Sequence, residues 1–464
     1  MSAHLDADLL VIGFGKGGKT LAGDVARQGR RVVLVEESPA MYGGTCINTG
    51  CVPTKSMVYQ AEHLPDGISA ASAYAVAVAQ TERLTAGLRA ANLAALAGVP
   101  SATVLTGRAA FLDANTVEVA SHTGTVTVTA RQIVVGTGST PVIPDGLGLA
   151  ECPVAVTSTE LLRLVSRPDR LVVLGGGYIG LEFASMYAGY GSAVTVLERR
   201  PSVLANEDPD IADAARTVLR DRGVSVITGA NTVRVQTVAR PGGPPAARVE
   251  YLVDGRTETI DADNVLVALG RAPNTAGLGL DRAGVEVTDS GAVVVDDHRR
   301  TSQPHIFAVG DVNGGPQYTY ISLDDYRIVL DQLTGAADPR AASQRDAVPN
   351  CLFLSPPLAR VGLTETQART AGYDVRVAAS PVVALATVAR ARIVGDTAGV
   401  MKVVVDASTD RILGAALMCH DAQELVNLVA MAMRFGITAS ALRDGIYTHP
   451  SMSECFNQLL GMLA

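Results

Sequence analysis

The chain has 464 residues, 48% apolar, 18% charged and 46 of them glycine, about three times the length of a single domain of ~150 residues. That composition predicts several globular domains rich in tight turns and excludes a disordered tail, a collagen or a coiled coil. A net charge of −8 argues against generic binding to nucleic acid or anionic membranes, and 4% aromatics with no Trp are too few for a base-stacking surface. No basic region precedes the first apolar run, and no unbroken apolar stretch approaches the ~18 residues of a membrane span. A cytoplasmic enzyme is expected.

In chain order, the apolar run 8–12 predicts a strand, followed by the turn Gly13-Phe14-Gly15-Lys16-Gly17-Gly18, a helix to about Gln28, and a strand over 31–35 ending at Glu36. The same grammar returns at 170–174, with Gly175-Gly176-Gly177-Tyr178-Ile179-Gly180, a helix to about Tyr190, and a strand ending at Glu198. From Gly13 to Glu36 is 23 residues, and from Gly175 to Glu198 is also 23. In such a unit the first Gly permits the turn, the second lets backbone approach a pyrophosphate, and the third lets helix and strand pack closely. The helix N-terminus supplies N–H groups to phosphate, and the acid accepts from ribose hydroxyls. Two complete units predict two bound dinucleotides. Between them, 55–97 reads as Ala-rich helix and 101–135 as short strands. The Gly/Pro stretch 240–245 reads as an exposed loop tip inside the second unit. The last ~120 residues alternate strands and helices without a glycine fingerprint, which predicts a third domain.

Of six cysteines, only Cys46 and Cys51 are close in sequence, within Gly43-Gly44-Thr45-Cys46-Ile47-Asn48-Thr49-Gly50-Cys51-Val52-Pro53-Thr54-Lys55. In a regular helix their Cα atoms would lie about 8.6 Å apart, beyond the roughly 4.4–6.8 Å of a disulfide. If they bond, the segment must be distorted, for which Asn48 and Gly50 are suited. Pro53 fits the first turn of the helix that continues through Lys55, placing both sulfurs near a helix N-terminus that favours thiolate. Ordinary core cysteines or half of a zinc site are the alternatives, but no second cysteine or Cys/His pair at zinc spacing appears. Beside two dinucleotide sites the pair reads as redox-active, and coupling a hydride donor to a dithiol calls for flavin chemistry. Cys152, Cys351 and Cys419 read as buried small hydrophobes, with Cys419-His420 the one pair to check for metal.

With Gly136-Thr137-Gly138-Ser139, Gly270-Arg271-Ala272-Pro273-Asn274, Ile306-Phe307-Ala308-Val309-Gly310-Asp311 and His449-Pro450-(x3)-Glu454, these motifs run the length of the chain. In kind and order they resemble the class I pyridine nucleotide–disulfide oxidoreductases, the family of glutathione reductase, dihydrolipoyl dehydrogenase and mercuric reductase. The resemblance implies an α/β fold of two Rossmann-type dinucleotide-binding domains, one inserted in the other, plus a C-terminal α+β dimerisation domain. Residues 1–150 and 271–345 would bind FAD, 151–270 NAD(P)H, and 346–464 would form the dimer interface. FAD would be held by Gly13, Gly15, Gly18 and Glu36, with Gly44, Thr45, Lys55, Thr137, Gly138, Tyr318 and Thr319 around it and Asp311 on the ribityl chain. Gly175, Gly177, Gly180, Glu198 and Gly270 would serve the nicotinamide nucleotide, with Tyr178 as a lid over the flavin face. Lys55 and Glu182 match a pair beside the flavin N5. Cys51 matches the charge-transfer thiol and Cys46 the interchange thiol. His449, oriented by Glu454, matches the acid and base that acts on the partner subunit's disulfide in a homodimer. Glu198 favours NADH, while Arg199 and Arg200 leave NADPH possible.

Several segments are most similar to the bacterial reactive-chlorine-resistance flavoproteins, described as copper(II)-reducing: Gly13-Phe14-Gly15-Lys16, Ala40-Met41-Tyr42-Gly43-Gly44, the stretch 317–325, and His449-Pro450-Ser451-Met452-Ser453-Glu454. Tyr318 to Ile321 opens a helix that family placement aims at the flavin. Mercuric reductases carry a vicinal Cys pair near the C-terminus, which the tail 459–464 lacks. The readings are therefore an NADH-dependent reductase of a metal ion such as copper(II) or another oxidant, a dihydrolipoyl dehydrogenase or small-disulfide reductase, and a flavoprotein redox sensor. An intact His–Glu dyad counts against the sensor. The acceptor is a small molecule or metal ion, with no nucleic-acid or membrane partner and no resident metal.

Overall fold

Two parallel sheets form where the sequence passes from apolar strand through glycine turn to helix. The computed structural model describes residues 3–65 and 67–463. It divides into a first unit, running to Met57 with Val76–Val142 and Gly270–Arg345, and a second, Val58–Ala75, Ile143–Leu269 and the segment from Asp346.

In the first unit the strand Ala3–Ile12 is central, parallel to Val32–Glu36 on one side and to Gly124–Val135 on the other. Ala102–Thr106 extends the parallel sheet beyond Val32–Glu36. Gly124–Val135 is shared: its second half pairs in parallel with Ile306–Ala308, its first half antiparallel with Thr116–Ser121, and Arg108–Phe111 follows. Leu9, Leu10, Val11, Leu34 and Val134 are fully buried, as expected of strands covered on both faces. The first strand starts five residues before the apolar run, because 3–7 gain a backbone partner in the long strand, and pairing is not written in hydrophobicity. The helix Lys16–Arg27 buries Leu21, Ala22 and Val25. It meets the helix Thr319–Thr334 so closely that a Cβ on Gly17 would lie 2.5 Å from the Ser322 carbonyl oxygen. The expected helical stretch 55–97 is two helices, Cys51–Glu62 and Ala70–Ala97, interrupted at Pro65, which cannot continue the backbone ladder.

In the second unit, five parallel strands run in the order Val224–Thr228, Ala193–Glu198, Arg170–Leu174, Asn264–Val267, Ala155–Val156. A three-stranded antiparallel sheet, Asn231–Val238, Ala246–Val253 and Arg256–Ala262, follows, and 240–245 forms its exposed hairpin loop. The C-terminal segment builds a five-stranded antiparallel sheet, ordered 350–352, 358–362, 412–418, 400–406, 375–381. The helix Ala422–Arg434 buries Leu425, Val426 and Val429 in the same core as Met401, Val403 and Leu417. Among the described residues, no helix is long and apolar enough to cross a membrane.

A buried cation ties this sheet to the start of the helix Pro209–Asp221. Lys402 Nζ, with its side chain 6% exposed, contacts Asp208 at 3.1 Å, Asp210 at 3.0 Å and Glu365 at 2.8 Å. Burial pushes the Asp208 carboxyl up, but hydrogen bonds from Thr366, Lys402 and the Glu365 amide outweigh it and hold Asp208 at about 2. A carboxyl held low in the folded state contributes stability that is present above its ordinary value near 4 and lost as pH falls through 2. Asp208→Asn should lower stability at pH 7 by about 1–2 kcal/mol and flatten the acid-induced loss between about pH 4 and 2. Urea unfolding across that range checks it.

Candidate active site

The two glycine turns are superimposable in their hydrogen bonding. Gly13 takes φ +106° and Gly175 φ +105°. A Cβ on Gly13 would lie 2.3 Å from the Gly136 carbonyl oxygen, and one on Gly175 would lie 2.5 Å from that of Ala268. Gly18 and Gly180 close the helix onto the turn, their Cβ positions 2.7 and 2.0 Å from the carbonyl oxygens of Gly13 and Gly175. At the strand tips, Glu36 accepts from the amides of Phe14 at 3.0 Å and Ser38 at 3.3 Å. Glu198 accepts from those of Gly176 at 2.6 Å and Arg200 at 2.7 Å. Burial raises the Glu36 carboxyl and these amides oppose the rise. A carboxylate has about four lone-pair sites, so each acid keeps acceptor capacity for ribose hydroxyls.

The middle glycines behave differently. A Cβ on Gly15 would come no nearer than 3.7 Å to the chain's own atoms, and one on Gly177 would meet nothing within 4 Å. Packing within the protein does not demand glycine there, so the space is what a pyrophosphate would fill. Gly138 and Gly270 also face open space at positive φ. The chain's residues thus fit a dinucleotide at each turn.

The cysteine segment lies in the first unit and is broken where bonding would require. Thr45–Asn48 is a single helical turn, Thr49 leaves helical geometry at φ −143°, and a new helix opens at Cys51. Neither Asn48 nor Gly50 uses a left-handed conformation. Gly50 is needed for space, since its Cβ would lie 3.0 Å from the Thr45 carbonyl oxygen and 3.4 Å from the Cys46 Cα. Asn48 works through its side chain, donating to the carbonyls of Tyr42 at 3.0 Å and Gly44 at 2.9 Å while accepting from Arg89 Nε at 2.8 Å. Gly44, at φ +81°, would drive a Cβ to within 2.5 Å of the Gly15 Cα, so the loop is seated directly on the first glycine turn.

Both cysteines are free thiols, Cys46 half-buried and Cys51 exposed. The Cys46 thiol is raised well above the usual range by its hydrogen bond to Cys51 and by burial. Cys51 opens its helix, where the helix N-terminus favours thiolate. Thr319 Oγ1 lies 3.6 Å from Cys51 Sγ, and the Thr319 hydroxyl also lowers the Cys46 thiol. Lys55 follows Cys51 by one helical turn, on the same face. Thr45 opens the Cys46 helix, and Tyr318 caps the helix of Thr319.

Asp311 is held by residues that sequence inspection passed over. Ser139 Oγ donates to Asp311 Oδ2 at 2.6 Å, and Arg271 donates to the Ser139 hydroxyl at 2.8 Å and to its carbonyl at 2.6 Å. Thr137 Oγ1 donates to the Asn274 carbonyl at 2.7 Å. Beneath Asp311, fully buried Asp325 accepts from the Gly310 amide at 2.7 Å and from Asn313 at 3.1 Å, and it pairs with Arg345 and Arg299. Ser139, Arg271 and Asp325 all lie inside recognisable motifs, which was the available signal. Asp325→Ala leaves two largely buried guanidinium groups short of a counter-charge. It should cost about 3–5 kcal/mol, read by urea unfolding, and lower the flavin retained on purification.

In the second unit, Tyr178 Oη donates to Asn350 Oδ1 at 2.9 Å, and buried Glu182 accepts from the Phe353 amide at 2.9 Å. Both anchors come from the C-terminal segment, with no motif to announce them. His449 Nδ1 lies 2.8 Å from Glu454 Oε1, whose other oxygen accepts from the Ser451 amide at 2.9 Å. The amide and the imidazole hold the Glu454 carboxyl below its ordinary value. A carboxylate on Nδ1 keeps the proton there and leaves Nε2 as the basic atom. The imidazole is 67% exposed, and Phe435, Ile446, Met431 and Leu428 are exposed in the same C-terminal segment. Cys152 and Cys419 are buried and Cys351 half-buried. His420 lies 3.4 Å from Asp421, and among the described residues no group of three metal-ligating side chains forms.

Residues 7–325 match the family model of pyridine nucleotide-disulphide oxidoreductases, and residues 348–460 match that family's dimerisation domain. The chain belongs to the pyridine nucleotide–disulfide oxidoreductase family. It is 43% identical to the probable pyridine nucleotide-disulfide oxidoreductase RclA of Escherichia coli, over 98% of both chains. It is 35% identical to dihydrolipoyl dehydrogenase of Mycobacterium bovis, over 98% of both. Against mercuric reductase of Lysinibacillus sphaericus it is 33% identical over 96% of this chain and 81% of the relative. Among solved structures, the Cu(II) complex of the HOCl-induced flavoprotein disulfide reductase RclA from E. coli matches with a TM-score of 0.92, covering 99% of this chain and 100% of that one. This pyridine nucleotide–disulfide oxidoreductase is accordingly a flavin-dependent enzyme that works with a pyridine nucleotide and carries the family's dimerisation domain.

Proposed function

We propose that this enzyme is a cytoplasmic, homodimeric NADH-dependent reductase whose Cys46–Cys51 pair delivers electrons to a metal ion such as copper(II) or to another oxidant. The observation that carries the reading is the broken helix that holds the two thiols in hydrogen-bond contact, Cys51 at a helix N-terminus and Cys46 beside it. FAD, when bound, accepts a hydride from the nicotinamide nucleotide and passes two electrons to a disulfide. Gly13, Gly15, Gly18, Glu36, Gly44, Thr45, Thr137, Gly138, Asp311 and Tyr318 would hold it, with Lys55 and Glu182 serving its hydride-accepting edge and Tyr178 covering it. The nicotinamide nucleotide would lie on Gly175, Gly177 and Gly180, and a carboxylate at Glu198 favours the 2′-hydroxyl of NADH over a 2′-phosphate.

Reduced Cys46 and Cys51 hold two electrons and two protons. When the disulfide closes between them, the electrons reduce two copper(II) ions to copper(I) or one external disulfide to two thiols. Cys46 is the thiol that meets the acceptor, and Nε2 of the partner subunit's His449 takes its proton. The exposed apolar side chains of the C-terminal segment support that pairing of subunits. The copper-bound form of the 43%-identical relative supports a metal acceptor. A second reading, dihydrolipoyl dehydrogenase, is favoured by the 35% identity over 98% of both chains.

Anaerobic titration with NADH tests the route. A long-wavelength charge-transfer band with the first equivalent is expected. Plain bleaching of the flavin would remove the thiols from the circuit and sink the proposal. Turnover of the reduced enzyme with copper(II), glutathione disulfide and lipoamide then separates the two readings, and rapid lipoamide reduction with no copper(I) formed would select the second.

A further inference from the structure

The glycine fingerprint does not require a lysine after its last glycine, yet Lys19 follows Gly18 on the helix Lys16–Arg27 and is drawn inward. Its ammonium donates to the Gly43 carbonyl at 3.4 Å and to Asn92 Oδ1. Asn92 belongs to the helix Ala70–Ala97, as does Arg89, which holds Asn48. Lys19 and Arg89 therefore grip the two ends of the turn 43–48, and Cys46 lies between the gripped points. The turn has little slack at the lysine end, where a Cβ on Gly43 would lie 2.7 Å from Ile47 Cδ1 and 3.5 Å from Asn92 Cγ.

Charge follows the same geometry. Burial and the neighbouring Lys16 lower Lys19 to about 8, and Cys46 opposes that fall. In return, Lys19 favours the Cys46 thiolate, against the upward push of Cys51 and burial. Of the groups that bear on Cys46, namely Cys51, Thr319 and Lys19, Lys19 carries the positive charge.

We propose that Lys19 is a positioning residue of the redox centre: anchored through Gly43 and Asn92, its ammonium stabilises negative charge on the Cys46 sulfur. The inference rests on the reading of Cys46 as the thiol that meets the acceptor. A second negative sulfur beside a Cys51 thiolate is disfavoured by repulsion, and a cation anchored at Gly43 and Asn92 offsets that repulsion. In the reaction the Cys46 thiol gives its proton to a base and keeps the electron pair with which it attacks.

The test uses holoenzyme reduced by a phosphine, so that it does not depend on the nicotinamide route. Iodoacetamide alkylates each thiolate, a sulfur–carbon bond forming as iodide leaves, and peptide mass mapping follows Cys46 and Cys51 separately between pH 6 and 10. Lys19→Met should slow Cys46 alkylation about tenfold at neutral pH and move its pH profile up by about one unit. Cys51 reactivity and flavin content should be unchanged, and Lys19→Arg should restore the rate. Asn92→Ala, which frees the ammonium without removing it, should move Cys46 in the same direction by a smaller factor. An unchanged Cys46 profile in Lys19→Met overturns the proposal, as does a parallel change of both thiols that Lys19→Arg fails to rescue. Failure of the NADH titration with a shifted Cys46 profile would instead fault the functional reading alone.

Discussion

Cys46→Ser is expected to abolish reduction of disulfides and of copper(II), by roughly 10³-fold or more, while NADH oxidation by oxygen stays within about twofold of the parent enzyme. A serine hydroxyl cannot form the disulfide or carry a thiolate at neutral pH, so the last step loses its nucleophile. The flavin site keeps its own contacts, because Gly44, Asn48 and Gly50 hold the loop through backbone and amide groups that the substitution leaves alone. Cys51 remains at its helix N-terminus beside Thr319, and without its partner thiol it should sit as a persistent thiolate. Steady-state assays with each acceptor, run beside an oxygen-consumption assay, check both halves. Disulfide reduction that survived in Cys46→Ser would show that the electrons leave by another route.

His449→Ala should lower acceptor turnover by about 10²–10⁴-fold without changing the rate at which NADH reduces the enzyme. The Glu454 carboxylate on Nδ1 and the exposure of the imidazole make Nε2 an accessible proton acceptor. A mixed dimer distinguishes action across the subunit boundary. One chain carries Cys46→Ser and the other His449→Ala, with different tags for purification. If His449 serves the partner's thiols, one site of that dimer combines an intact pair with an intact imidazole, and about half of the parent activity returns. If it serves its own chain, each site keeps one defect and no activity returns.

The repeated strand–glycine–helix–strand units were legible in sequence because each recurs within about 25 neighbouring residues, and the steric demand at Gly18 and Gly180 is local, although Gly13 and Gly175 also meet the distant carbonyls of Gly136 and Ala268. The same holds for the cysteine segment: a bond between cysteines five apart would require a distorted helix, and the helix is interrupted between Asn48 and Cys51. His449 and Glu454 were legible for the same reason, since they pair within one short turn. The close approach of Gly50 to Thr45 and Cys46 is a matter of packing, which spacing does not show.

What the sequence by itself determined, then, is the short-range geometry: two dinucleotide turns, two acids at strand tips, a kinked dithiol and a His–Glu pair. Only the tertiary structure decided which distant side chains steady these pieces. Ser139 reaches Asp311 across 172 residues, Arg271 reaches Ser139 across 132, and Asn350 reaches Tyr178 across 172. Lys19 meets Asn92 73 residues away. A polar group that must be paired once buried accepts a partner from anywhere the fold delivers one. Hydrophobic periodicity records which face is inside, but it does not record which donor will meet which acceptor there.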